Sequence, residues 1–81
     1  MLKDIIEALK RAKFKEKKDQ DYQRLGIEKA FQRGRQHIEM YKEEWGYTIH
    51  YLHPNGEIIS IVDEEDIERL EEKITYNQNR Y

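Results

Sequence analysis

Six of the nine residues from Lys10 to Lys18 are cationic, with Phe14 the one aromatic among them. Lys10, Arg11, Lys13, Lys15, Lys17 and Lys18 are the residue types that track a phosphate backbone or rest on anionic lipid, and Arg24, Arg33 and Arg35 could extend the patch. The run also has a plainer explanation, since cations at the C-terminal end of a helix complement its dipole and solvate its polar face. A net charge of −2 weighs against a general polyanion binder. That total hides an asymmetry: residues 1–44 carry twelve Lys/Arg against nine Asp/Glu, whereas residues 45–81 carry three against eight.

The remaining chemistry-bearing side chains do not assemble into a catalytic set. His37, His50 and His53 could ligate a metal, but His50 and His53 would point to opposite faces of a strand, and no spacing matches a ligand pair. With no cysteine there is neither a disulfide nor a thiolate zinc site. Ser60 is the lone serine and a hairpin would bring it opposite His50, yet nothing supplies an orienting acid or oxyanion donors. Asp63 to Asp66 read as a helix cap and acidic first turn, and Glu68, Glu71 and Glu72 as an exposed helical face. No enzyme, metal or cofactor is expected.

These residues must be positioned by a small scaffold. At 81 residues, 37% hydrophobic and 40% charged, the chain can form one domain with a thin core. Leu2, Ile5, Ile6, Leu9 and Ala12 recur at helical spacing and stop at Lys13, which predicts a first amphipathic helix. Ile27, Ala30, Phe31, Gly34, Ile38, Tyr41 and Trp45 fall on one face of a second helix closed by Gly46. Because Leu9 and Ile27 share a phase, one continuous helix from Leu2 to Trp45 is the alternative. The segment from Tyr22 to Phe31, with its Leu25-Gly26-Ile27, also resembles the turn of helix-turn-helix DNA readers. The resemblance departs at Tyr22, where a small residue is usual, and at Gln32, where an apolar one is; it implies a DNA-reading second helix.

Two strands, Tyr47 to His53 and Glu57 to Val62, follow about Pro54-Asn55-Gly56. A type I turn over His53 to Gly56 with Gly56 left-handed would set Tyr51 opposite Ile59 and Ile49 opposite Ile61, making one face wholly apolar. Ile67, Leu70 and Ile74 are the stripe of a short C-terminal helix. The expected fold is therefore α+β in the order ααββα, with residues 1–74 as one domain and residues 75–81 as a frayed tail.

A two-stranded sheet has two open edges, and these strands lack the lysine and internal proline that blunt an edge. In the bulged register Thr48, His50, Leu52, Ile58, Ser60 and Val62 turn their backbone groups outward, where a second copy or a partner strand could add. The expectation is a small non-enzymatic regulator, inhibitor or adaptor that occupies a protein partner's surface. A symmetric homodimer is its simplest assembly. Nucleic-acid binding through Lys10 to Lys18 and Arg24/Arg33/Arg35 is the alternative. No apolar stretch suits a signal peptide or membrane span, so a cytoplasmic protein is expected, with a composition common in AT-rich bacterial or phage genomes.

Overall fold

The computed structural model describes residues 1–19, 21–22, 24–53 and 56–78, with His53 described at its backbone alone. It shows helix α1 (Leu2–Arg11), strands β1 (Lys15–Lys17), β2 (Lys29–Arg33), β3 (Gln36–Glu43), β4 (Gly46–His53) and β5 (Glu57–Ile61), and helix α2 (Glu64–Asn77). The strands form one antiparallel sheet in the order β1-β2-β3-β4-β5. Both helices lie on one face of it: Ile5 and Leu9 of α1 and Leu70 and Ile74 of α2 share a buried cluster with Phe14, Phe31, Ile38, Met40, Ile49, Tyr51 and Ile61. The architecture is α+β, but the two N-terminal helices and isolated hairpin expected from the sequence are replaced by one helix and a five-stranded sheet.

The correction falls on Ile27 to Trp45, which is a β-hairpin and not a helix. Gly34 takes φ 59 at the first position of a two-residue turn, pairing Arg33 with Gln36, Phe31 with Ile38 and Lys29 with Met40. Glycine at that position suits the II′ turn, whose twist matches the strands it joins. Ala30 and Phe31 are both buried although their side chains leave opposite faces of β2. Consecutive burial of this kind, followed by a turn, imitates a three-to-four spacing. The same finding removes the helix-turn-helix likeness, because the residues expected to form its second helix are β2 and Gly26 (φ 80) ends a short turn before it.

The strands read from the sequence near Tyr47 to Val62 are β4 and β5, in a different register. Tyr51 faces Glu57, Ile49 faces Ile59 and Tyr47 faces Ile61, two residues away from the expected pairing. A shift of two keeps every side chain on its face. Ile49, Tyr51 and Ile61 are accordingly buried, while Leu52, Ile58 and Val62 are exposed. Gly56 is left-handed, φ 68; Pro54 and Asn55, on which the expected type I turn depends, lie outside the described residues.

α1 ends in a Schellman arrangement: the Phe14 N–H donates to Leu9 O (3.0 Å) and the Lys13 N–H to Lys10 O (3.0 Å). This puts Lys13 at the left-handed position after the helix, φ 74, where glycine is usual. α2 begins with a capping box in which Asp63 accepts from the Asp66 N–H at 3.2 Å. The Asp66 carboxylate accepts from the N–H of Val62 at 2.8 Å and of Asp63 at 3.2 Å, and meets Arg69 at 3.0 Å. α2 continues to Asn77, which is buried.

The Val62 amide, then the Asp63 amide and the Arg69 guanidinium, hold the Asp66 carboxyl below its usual value. A depressed folded-state pKa gives stability that is present above the unfolded value, near ~3.9, and lost as pH falls through the folded one. Asp66→Asn is therefore expected to be less stable than the parent in urea at neutral pH, with the gap closing as pH drops below about 4. A gap that stays constant down to strong acid would show that the cap works without its charge.

Candidate functional site

β1 and β5 are the two edges of the sheet, and they differ. β1 has three residues, with Lys15 and Lys17 exposed and Glu16 turned to the helix side, where it pairs with Lys29 at 3.4 Å. Short length and lysines are ordinary protections of an edge. β5 has five residues, Glu57-Ile58-Ile59-Ser60-Ile61, without lysine or proline.

The phase of the ladder decides which backbone groups are open. The two-residue link Glu44-Trp45 makes Glu43 and Gly46 a bonded pair. By alternation Thr48 and His50 then bond β3, and Tyr47, Ile49 and Tyr51 bond Ile61, Ile59 and Glu57 of β5. Ile58 and Ser60 are left facing outward, and the next N–H, of Val62, is taken by Asp66 at 2.8 Å. Of the six residues expected to form an open edge, only Ile58 and Ser60 do so. Thr48, His50 and Leu52 sit on an inner strand, Leu52 at the irregularity where Ile38 pairs with Tyr51 and His37 with His53. The expectation failed for these three because β3 covers the side of β4 that a lone hairpin would leave bare.

The two flanks of the β5 edge differ. On the open sheet face Leu52 (40% exposed), Ile58 (63%) and Val62 (50%) reach solvent, with Trp45 (48%) at the neighbouring β3–β4 turn. On the helix side a groove of about 500 Å³ runs between β5 and α2, where Ile58, Ile59 and Tyr76 stand among the charged Glu57, Arg69, Glu72 and Lys73. Lys73 ties it together, 2.9 Å from the Glu57 carboxylate and 5.6 Å above the Tyr76 ring. Trp45 and Tyr76 escaped sequence reasoning, one read as the end of a helical stripe and the other as tail.

His50 stands opposite Ile58, and Ser60 opposite Thr48, so the direct His50/Ser60 pairing is absent. The Tyr41 hydroxyl donates to Glu39 at 2.8 Å, and burial together with the Glu39 carboxylate pushes its pKa up to about 12, which keeps it protonated at neutral pH. Among the described residues no group of three or more His, Cys, Asp or Glu could hold a metal ion.

The expected cationic patch is dispersed. Arg11 pairs with Glu71 at 3.2 Å and Arg24 with Asp21 at 3.4 Å. Arg33 turns toward the core: it donates to Ala12 O (2.8 Å), Gln36 Oε1 (2.7 Å) and Ile74 O (3.1 Å) and lies 4.5 Å from the Phe14 ring centroid. Lys10 is on the exposed side of α1, Arg35 is exposed in the β2–β3 turn, and Lys18 follows β1. Lys13, Lys15 and Lys17 share a surface cleft with Arg33. Among the described residues no helix is long and apolar enough to cross a membrane. No family model, curated protein or solved structure matches the chain.

Proposed function

We propose that the protein is a non-enzymatic binding module that captures an extended segment of a protein partner by strand addition to β5, and that it regulates the partner by occupying it. The observation that carries this reading is an unprotected five-residue edge with exposed Ile58 and Val62 on one flank and a groove holding Ile59 and Tyr76 on the other. An added strand would bond the outward groups of Ile58 and Ser60 while its alternate side chains met Ile58 and Val62 on one face and Ile59 and Tyr76 on the other. The segment should be apolar at its centre and basic at its flanks, because α2 beside it carries six carboxylates against two cations.

A second copy is the less favourable occupant. Two-fold pairing of β5 with β5 would bring two net-negative α2 helices together on one side of the joined sheet. The proposal therefore takes the strand-donating partner over the symmetric dimer.

Selection of displayed linear peptides on the parent, with Ser60→Pro as counter-screen, tests it. Proline removes an outward donor and leaves the inner ladder intact, so selected peptides are expected to bind Ser60→Pro at least about tenfold more weakly, the equivalent of ~1.4 kcal/mol. They should also protect the Ile58 and Ser60 amides from exchange and shift the fluorescence of Trp45, the chain's single tryptophan. Peptides that bind both forms equally, or a parent already dimeric with those amides protected, would overturn the reading.

A further inference from the structure

At the other end of the sheet Lys13, Lys15 and Lys17 converge on a cleft of about 300 Å³ completed by Gln32, Arg33 and Gly34. No carboxylate lines it. Among the described residues none of the three lysines has an ion pair, whereas Lys29 and Lys73 are neutralised by Glu16 and Glu57. The one acid of β1, Glu16, is turned to the opposite face by strand alternation. Arg33 lines the cleft as well, but its guanidinium is turned to the helix side, where Ala12, Gln36 and Ile74 engage it.

Lys13 sharpens the picture. Its left-handed conformation is dictated by the Schellman end of α1, but nothing in that geometry asks for lysine, and glycine would relieve the strain. The chain therefore carries an ammonium at the mouth of this cleft at a cost to its own stability. Lys15 and Lys17 leave the same face of a strand about 7 Å apart, a pitch that an extended phosphate chain can follow.

We propose that this cleft binds consecutive phosphate groups of an extended polyanion, with Lys13, Lys15 and Lys17 each facing one phosphate. The site is separate from the β5 edge and does not depend on it. Two probes distinguish the sources of that chemistry: a single-stranded oligothymidylate and inorganic tripolyphosphate. With three phosphates neutralised, the logarithm of oligothymidylate affinity should fall with the logarithm of salt at a slope of about −2, and Lys15→Gln or Lys17→Gln should each flatten that slope by about 0.7. Binding of the oligonucleotide alone assigns a nucleic-acid backbone, and binding of both probes assigns the phosphate group itself; either supports the site.

Lys13→Gly supplies the readout that a purely structural lysine would not give. It is expected to raise the melting temperature and at the same time weaken binding several-fold, while Ser60→Pro leaves binding unchanged. Failure of both probes to bind the parent at low salt, or binding that survives the Lys15→Gln/Lys17→Gln pair with its salt slope intact, would overturn the proposal. A Lys13→Gly protein that binds as tightly as the parent would remove Lys13 from it.

Discussion

Gly46→Ala is expected to cost about 3 kcal/mol, at the upper end of what overpacking usually costs. For a domain of this size that is a fall of roughly 12–24 °C in melting temperature. A Cβ at Gly46 would stand 2.1 Å from the Ile61 carbonyl oxygen and 3.4 Å from the Val62 Cα. These are backbone atoms, so no side chain can swing away. They are also pinned, since the Val62 N–H is held by Asp66 in the cap of α2. Relief would require β4 to separate from β5 or the cap to open. Gly46 adds a backbone term of its own at φ 151, outside what alanine adopts comfortably.

Gly34→Ala and Gly56→Ala are the controls. Both glycines are left-handed, φ 59 and 68, but an added Cβ meets nothing within 4 Å at either, so each should cost only about 1 kcal/mol. Thermal denaturation of the three variants side by side gives the ranking. Equal melting of all three would mean that β4 and β5 are not as close at this end as described.

Arg33→Leu is expected to destabilise by about 3 kcal/mol in urea denaturation, because it takes a donor from three acceptors together. The Ala12 and Ile74 carbonyls and Gln36 Oε1 all lose a donor, and Gln36 is 1% exposed; an orphaned buried group costs about 1–3 kcal/mol. Gln36 keeps the Tyr51 hydroxyl as a donor and itself donates to Asn77 O at 2.9 Å, which limits the loss. Arg33→Lys should recover little, since one ammonium cannot reproduce a planar fork that spans the ends of both helices. The double variant Arg33→Leu/Gln36→Leu should cost less than the sum of the single changes, because each removes a group the other leaves unpaired. Strict additivity would show that the two side chains are not coupled.

This network also explains why so much of the sheet was hidden in the sequence. β3 does alternate, burying Gln36, Ile38 and Met40, but its first inward residue is a glutamine, and polar residues do not announce a core position. Its neighbour Arg33 reads as a surface cation for the same reason. β1 is Lys-Glu-Lys and has no apolar residue to give a period; only its pairing with β2 makes it a strand. By contrast the stripe of α1, the Asp63 cap and the buried Ile67, Leu70 and Ile74 of α2 were legible, since each is a local pattern that tertiary contacts reinforce. At the candidate site Ile58 and Ser60 were legible as edge residues. Thr48, His50 and Leu52 were not separable from them, because strand alternation says which way a residue points but not whether another strand lies beside it.

Each strand of the sheet pairs with the next in sequence, whereas α1 and α2 meet across most of the chain, as in the Arg11–Glu71 contact. The hairpins can thus close one after another at small loop-closure cost, while the stripe of α1, which precedes every strand, stays partly bare until α2 covers it. Until α2 docks, Ile5, Leu9 and Phe14 share a core with half its lid missing. The kinetic weak point of the fold is therefore the interval before the fourteen-residue α2 arrives.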